Sequence, residues 1–235
     1  MLVVAIGVRG DLDGRSFLLG LIAGVGGGVG LASFYRALSL GTMSIVSPLV
    51  ACGAVVPFGI SIARGERPGA LALAGCAAAL AGAVLASVEE RRASSGDRAR
   101  AVALAVVAAG ALGLFVYFLG LGSRGGGDAL SALVGARVGS LAVLLTLSGV
   151  LRADLRIPRR LLVAVAAVGI ADVSANALFA FASGHGLLAL VSVLGSLYPV
   201  VTVLLAHVLL GERLTRTQQL GVAVALAGVA AISAS

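Results

Sequence analysis

Residues 173–211 read VSANALFAFASGHGLLALVSVLGSLYPVVTVLLAHVLLG, a run without a single Asp, Glu, Lys or Arg. A helix crossing a bilayer takes about 20 residues, so this run is too long for one crossing and long enough for two. Ser183-Gly184-His185-Gly186 supplies the break, because glycine clusters punctuate helices. The stretch therefore reads as two consecutive transmembrane helices, one ending near Ala182 and the next starting near Leu187.

The same rule divides the rest of the chain. Phe17 to Tyr35, Ala37 to Ala63 and Pro68 to Val88 are uncharged or nearly so, and the polar stretch at residues 89–100 follows them. Beyond it come Ala101 to Leu121, Ala129 to Leu151, Leu161 to Ala182, Leu187 to Leu209, and Thr217 to Ala234. The expectation is eight full transmembrane helices plus a short helix stub at residues 1–8, which has no positive n-region or cleavage site of a signal peptide. The runs are long and continuously apolar, whereas barrel strands would be alternating segments of about 10 residues. The fold class expected is an all-α integral membrane protein, a polytopic helical bundle.

Composition agrees. Of the 235 residues, 60% are hydrophobic and 11% charged, with a mean hydropathy of +1.12. Soluble domains carry about 25% charged residues, so lipid must cover much of this surface. All 17 basic residues are Arg and the net charge is +7. They cluster between apolar runs, where positive charge sets membrane orientation, and do not form the single basic face of a nucleic-acid binder. Cys52 and Cys76 lack metal spacing and read as packing residues. The glycine run Gly24 to Gly30 lacks the Lys-Ser/Thr ending of a phosphate loop, so it reads as a close helix contact. No cofactor or metal is implied. The Arg, Ala, Gly and Val bias suits a GC-rich bacterial genome, and the location expected for a multi-pass protein from such a source is the bacterial plasma membrane.

An internal repeat runs through the chain. Gly65-Glu66-Arg67 recurs as Gly211-Glu212-Arg213, and in that register Gly75, Ala79, Gly82 and Ser87 meet Gly221, Ala225, Gly228 and Ser233. One residue out of register, Ala32, Phe34, Ala37, Gly41 and Ser47 meet Ala177, Phe179, Ala182, Gly186 and Ser192. Five spans separate each feature from its copy. Five is odd, so equivalent loops fall on opposite sides of the membrane and the halves are inverted repeats, a common plan of secondary transporters.

Ser192 to Ala206, with Tyr198-Pro199 inside it, followed by Leu210-Gly211-Glu212-Arg213-Leu214 and Gln218-Gln219-Leu220-Gly221, resembles the end of an EamA domain of the drug/metabolite transporter superfamily. Phe34-Tyr35-Arg36-Ala37-Leu38 and Gly65-Glu66-Arg67-Pro68 resemble the matching part of a first copy. The resemblance implies residues 1–88 as a first repeat lacking its first helix and most of its second, 89–100 as the linking loop, and 101–235 as a second repeat of five helices. Its motif residues here are Gly65, Glu66, Arg67, Pro199, Gly211, Glu212 and Arg213. It implies a transporter, not an enzyme, with both termini cytoplasmic. The loop arginines favour the opposite orientation: Arg91, Arg92, Arg98, Arg100, Arg152, Arg156, Arg159, Arg160, Arg213 and Arg216 lie on one side, against Arg9, Arg15, Arg64, Arg67 and Arg124.

Ionisable residues inside spans are costly and mark functional sites. Arg137 interrupts Ala129–Leu151 and Asp172 lies halfway along Leu161–Ala182. At 1.5 Å per residue both sit roughly 13–15 Å deep in a core about 30 Å thick. The matched depth predicts an Arg137–Asp172 pair or a shared polar cavity. Asn176 shares the Asp172 helix face, and Tyr198 lies at similar depth before Pro199, whose missing N–H frees a carbonyl one turn back. Arg137, Asp172, Asn176 and Tyr198 form the candidate solute site, with Asp172 the candidate for proton coupling. The competing reading is a pair that only pins two helices, with Asn176 as interhelical glue.

Glu66 and Glu212, in short loops, read as capping residues. Pro48 and Pro57 read as points of bending or static kinks. His207 reads as an interfacial tip and His185 as a loop residue without an evident partner. The expected activity is alternating-access transport of a small metabolite or drug-like solute, as exporter or exchanger. The expected partners are the lipid bilayer and that solute, with a homodimer compatible and no nucleic acid. The alternatives are a truncated, non-transporting membrane protein or partner subunit and, more remotely, a lipid-modifying membrane enzyme.

Overall fold

The structure, a computed structural model, describes residues 12–40, 46, 49–86, 98–125, 127–152, 158, 161–195, 197, 200–201, 204, 208 and 215–234. Every regular element among them is helical. In chain order these are α1 (Gly14–Leu40), a 3-10 turn (Cys52–Ala54), α2 (Val55–Ala63), α3 (Ala70–Ala86), α4 (Arg98–Gly122), α5 (Ala129–Val150), α6 (Leu162–His185), α7 (Leu188–Gly195) and α8 (Arg216–Ser233). Four of them, α1, α4, α5 and α6, are long and apolar enough to cross a membrane. Leu49–Ala63, Ala70–Ala86 and Arg216–Ile232 form shorter apolar helices.

Several expected boundaries move, two of them for a reason the side chains show. The first helix does not stop before Arg36 but runs on to Leu40. Arg36 is exposed near the helix end, where a long side chain can carry its charge out to the membrane surface, so a charge need not terminate the helix. The sixth ends at His185 and not at Ala182. His185 is therefore a last-turn residue and not a loop residue; its Nδ1 lies 2.9 Å from the carbonyl oxygen of Phe181, one turn back on the same helix. Gly186, extended at φ −131°, takes the chain out.

At Pro57 no N–H exists to close the α-helical bond to Gly53, and the turn just before it is 3-10. Of the cysteines, Cys76 is fully buried in a cluster with Ala79, Val193 and Ile232, while Cys52 is exposed.

The chain divides into two compact units. The first comprises Met1–Val29 and Phe118–Gly186. In it α1 and α5 lie side by side in parallel: a Cβ on Gly20 would collide with the Ala132 carbonyl oxygen, and one on Gly24 with that of Ala136. The starts of the two helices cap each other. Each has an Asp-x-x-Ser, Asp13 to Ser16 and Asp128 to Ser131. The Asp13 carboxylate accepts from the Ser16 N–H at 2.9 Å, and that of Asp128 accepts from the Ser131 N–H at 3.0 Å. Across the pair, the Asp13 N–H donates to Ser131 Oγ at 3.1 Å and the Asp128 N–H to Ser16 Oγ at 3.0 Å. Ser16, through its hydroxyl first and its N–H second, holds the Asp13 carboxyl below the usual carboxylate range.

The second unit comprises Gly30–Tyr117 and Leu187–Ser235. Its α3 and α8 run antiparallel at backbone contact. A Cβ on Gly75 would lie 2.8 Å from the Gly228 carbonyl oxygen, and one on Gly82 would lie 2.6 Å from that of Gly221. Small residues permit such an approach between helices in lipid, where van der Waals contact is a main source of association. Ala83, Ala86, Val200, Val222 and Ala225 extend the seam. The start of α8 is closed by a capping box: Thr215 Oγ1 accepts from the Gln218 N–H while Gln218 Oε1 accepts from the Thr215 N–H.

Candidate functional site

Arg137 is the ninth residue of α5 and Asp172 the eleventh of α6, so each stands in the central part of its helix. The two meet: Arg137 Nη1 lies 2.7 Å from Asp172 Oδ2. Either charge alone near a bilayer centre costs about 2.5–3.5 kcal/mol on insertion scales, so the two enter the apolar layer as one neutral unit. The pair is not sealed. The Asp172 side chain is 55% exposed and that of Arg137 28%. Moreover, no residue in the most apolar 18-residue window of α6 is buried. The polar bridge is thus a link in a helix that packs little.

Asn176 serves its own helix and does not reach a neighbour through these bonds. Its Nδ2 donates to the Asp172 carbonyl oxygen at 2.9 Å and to Asp172 Oδ1 at 3.2 Å. Both carboxylate oxygens of Asp172 therefore have a donor: Oδ1 from Asn176, Oδ2 from Arg137. Arg137 is less fully engaged. Its Nε and Nη2 are shut off from solvent and have no hydrogen-bond partner among the described residues. That asymmetry, a satisfied anion beside a partly unsatisfied cation, is not visible in the order of residues.

Glu66 has a definite partner in its own unit. Its two carboxylate oxygens accept from the Leu188 N–H at 3.2 Å and the Ala189 N–H at 2.9 Å. These are first-turn donors of α7, which have no acceptor within the helix, and the helix dipole there favours negative charge. Gly65, at φ +100°, turns the chain so that Glu66 follows directly from α2. Of the remaining residues singled out from sequence, Tyr198, Pro199, Gly211, Glu212, Arg213, Pro48 and His207 lie outside the described residues.

The reciprocal Asp-x-x-Ser caps and the partner of Glu66 were not anticipated. The caps carry a recognisable local signal, an Asp just before an apolar run; the reach of Glu66 over 122 residues carries none. A groove of about 470 Å³ in the second unit, lined by Arg36, Leu40, Arg100 and Leu104 among others, sets two guanidinium groups over an apolar floor. Among the described residues no group of three His, Cys, Asp or Glu could hold a metal ion.

The helices and the charged pair within them define a multi-pass membrane protein with an ion pair in its apolar layer. Residues 99–234 match the model of the EamA-like transporter family, and the chain belongs to that family of membrane transporters. No curated protein matches it. A solved structure described as a crystal structure of a protein aligns with a TM-score of 0.70 at 18% identity, over 98% of this chain and 93% of that one; at such identity the likeness concerns the fold alone.

Proposed function

We propose that the chain is a secondary carrier that moves a small metabolite or drug-like solute across a bacterial plasma membrane by alternating access, with Arg137 and Asp172 as solute contacts. The observation that carries this reading is the 2.7 Å pair at mid-helix, left more than half exposed on its Asp172 side. A pair that served only to join two helices would gain by being packed over. Asp172 is also the residue at which proton coupling would enter.

The inverted repeat supports the reading. Gly75 and Gly221 are repeat equivalents, as are Gly82 and Gly228. The close contacts run Gly75 to Gly228 and Gly82 to Gly221, so exchanging the repeats maps each contact onto the other. Antiparallel contacts of this kind are what a two-fold axis perpendicular to the helices, in the membrane plane, would produce, the arrangement of inverted-topology carriers.

The test is the double variant Arg137→Gln/Asp172→Asn in proteoliposomes. It removes both charges together and strands neither. The expected result is correct insertion and a folded, monodisperse protein without saturable flux. Wild-type flux in that variant would make the pair a structural link only. The bonding of Asn176 back to its own helix favours that second reading to the extent that it already satisfies Asp172 from within the fold.

A further inference from the structure

Arg137 offers its N–H groups along two edges. Nη1, on the Cδ side, is given to Asp172. The other edge, Nε with Nη2, presents two parallel N–H bonds, the fork that matches a carboxylate oxygen for oxygen. Those two nitrogens are buried and have no hydrogen-bond partner among the described residues. Buried charged donors left unused are expensive, and Asp172 does not fill the fork: it is bound end-on at one nitrogen, and its second oxygen is held by Asn176. The protein thus keeps its own carboxylate off the better of the two edges.

We infer that the Nε–Nη2 edge of Arg137 is the seat of a carboxylate on the transported solute. This rests on the carrier reading of the site and narrows it to solutes bearing a carboxylate group. In the state seen here the edge is covered, so a solute reaches it in a state where the cover has moved aside, as alternating access requires. Arg137 is the only Arg or Lys of α5 and α6, and its single positive charge is already balanced by Asp172, so every negative charge on the solute is in excess at this site. A singly charged carboxylate suits such a site better than a phosphate, which carries nearly two charges at neutral pH.

Full-length protein in lipid nanodiscs would be melted with benzoate, phenylacetate and hexanoate, each beside its neutral amide, and with phenyl phosphate. The expected result is that at least one carboxylate raises the melting temperature and its amide does not. Arg137→Lys keeps the charge but lacks the fork, so it weakens that carboxylate about tenfold or more. Asp172→Asn removes a competing anion and tightens it. The inference is overturned if no carboxylate acts, if amide and acid act alike, if phenyl phosphate outdoes all three acids, or if Arg137→Lys binds as wild type. Flux of the same compounds separates the two claims. Binding at Arg137 without flux sinks the carrier reading and leaves the seat; saturable, Arg137-dependent flux of a neutral solute does the reverse.

Discussion

Two helix pairs in this molecule are joined by opposite means. Between α3 and α8, glycine faces glycine and the backbones touch, with no polar side chain needed. Between α5 and α6, one ion pair spans the middle, and much of α6 is exposed around it. In lipid, apolar side chains gain nothing by leaving the surrounding chains, so close contact and polar links are the two means of association. The first kind of join tolerates no added atom and sets the architecture. The second leaves room beside it, and a helix with room beside it is one that can contact a solute.

Breaking the tight join has the largest expected effect. Gly82→Val places methyl groups where the backbone of α8 already stands, and overpacking there costs about 3 kcal/mol or more. Size-exclusion chromatography after detergent extraction is expected to show loss of the monodisperse species; a normal profile would mean that the seam yields. Breaking the polar join comes next. Asp172→Asn alone leaves Arg137 charged and unpaired, a loss of about 2–3 kcal/mol, most of which Arg137→Gln on the same chain restores; thermal melts of the three proteins read the difference.

A smaller effect is expected at Glu66, where the link is polar but lies at a helix end. Glu66→Ala removes both acceptors from the start of α7 and costs about 1 kcal/mol, in the range of an ordinary N-cap. Glu66→Gln, which keeps one acceptor oxygen, should fall between. Equal stability of Glu66→Ala and wild type would show that water replaces the carboxylate there.

The smallest effect is expected at the exposed cap between α1 and α5. The Asp13 carboxyl titrates below its unfolded value because Ser16 bonds the charged form. Its contribution is therefore present above the ordinary carboxylate range and lost as pH falls through the depressed folded value. Asp13→Asn should flatten that acid limb of the stability profile slightly, and leave stability at pH 7 a little lower than wild type. An unchanged acid limb would show that the cap adds nothing.

Much of the helical layout was legible because an uncharged run of about 20 residues has few alternatives. The ends were less so: Arg36 reads as a boundary only if an arginine must leave the helix to reach water, and it need not. The Arg137–Asp172 pairing could be read because these are the charges set deep within their spans, and their depths match. How Arg137 divides its donors could not, since that depends on side-chain angles and on Asn176 reaching Asp172 from one turn away. Glu66 announced a cap but not which helix it caps. That information lies in the three-dimensional path between residues 66 and 188, which no local pattern encodes.

The α3–α8 seam has one more consequence. A contact set unchanged when its two members are swapped is the kind by which two identical chains close a symmetric dimer. A single five-helix repeat inserting in both orientations could use the same glycines to bind its own inverted copy. In such an ancestor every substitution at the seam would strike twice. Joined in one polypeptide, Gly75 and Gly221 answer to separate codons, and each half is free to specialise. On that origin, the placing of Arg137 and Asp172 at mid-helix in α5 and α6 would be one form that such freedom takes.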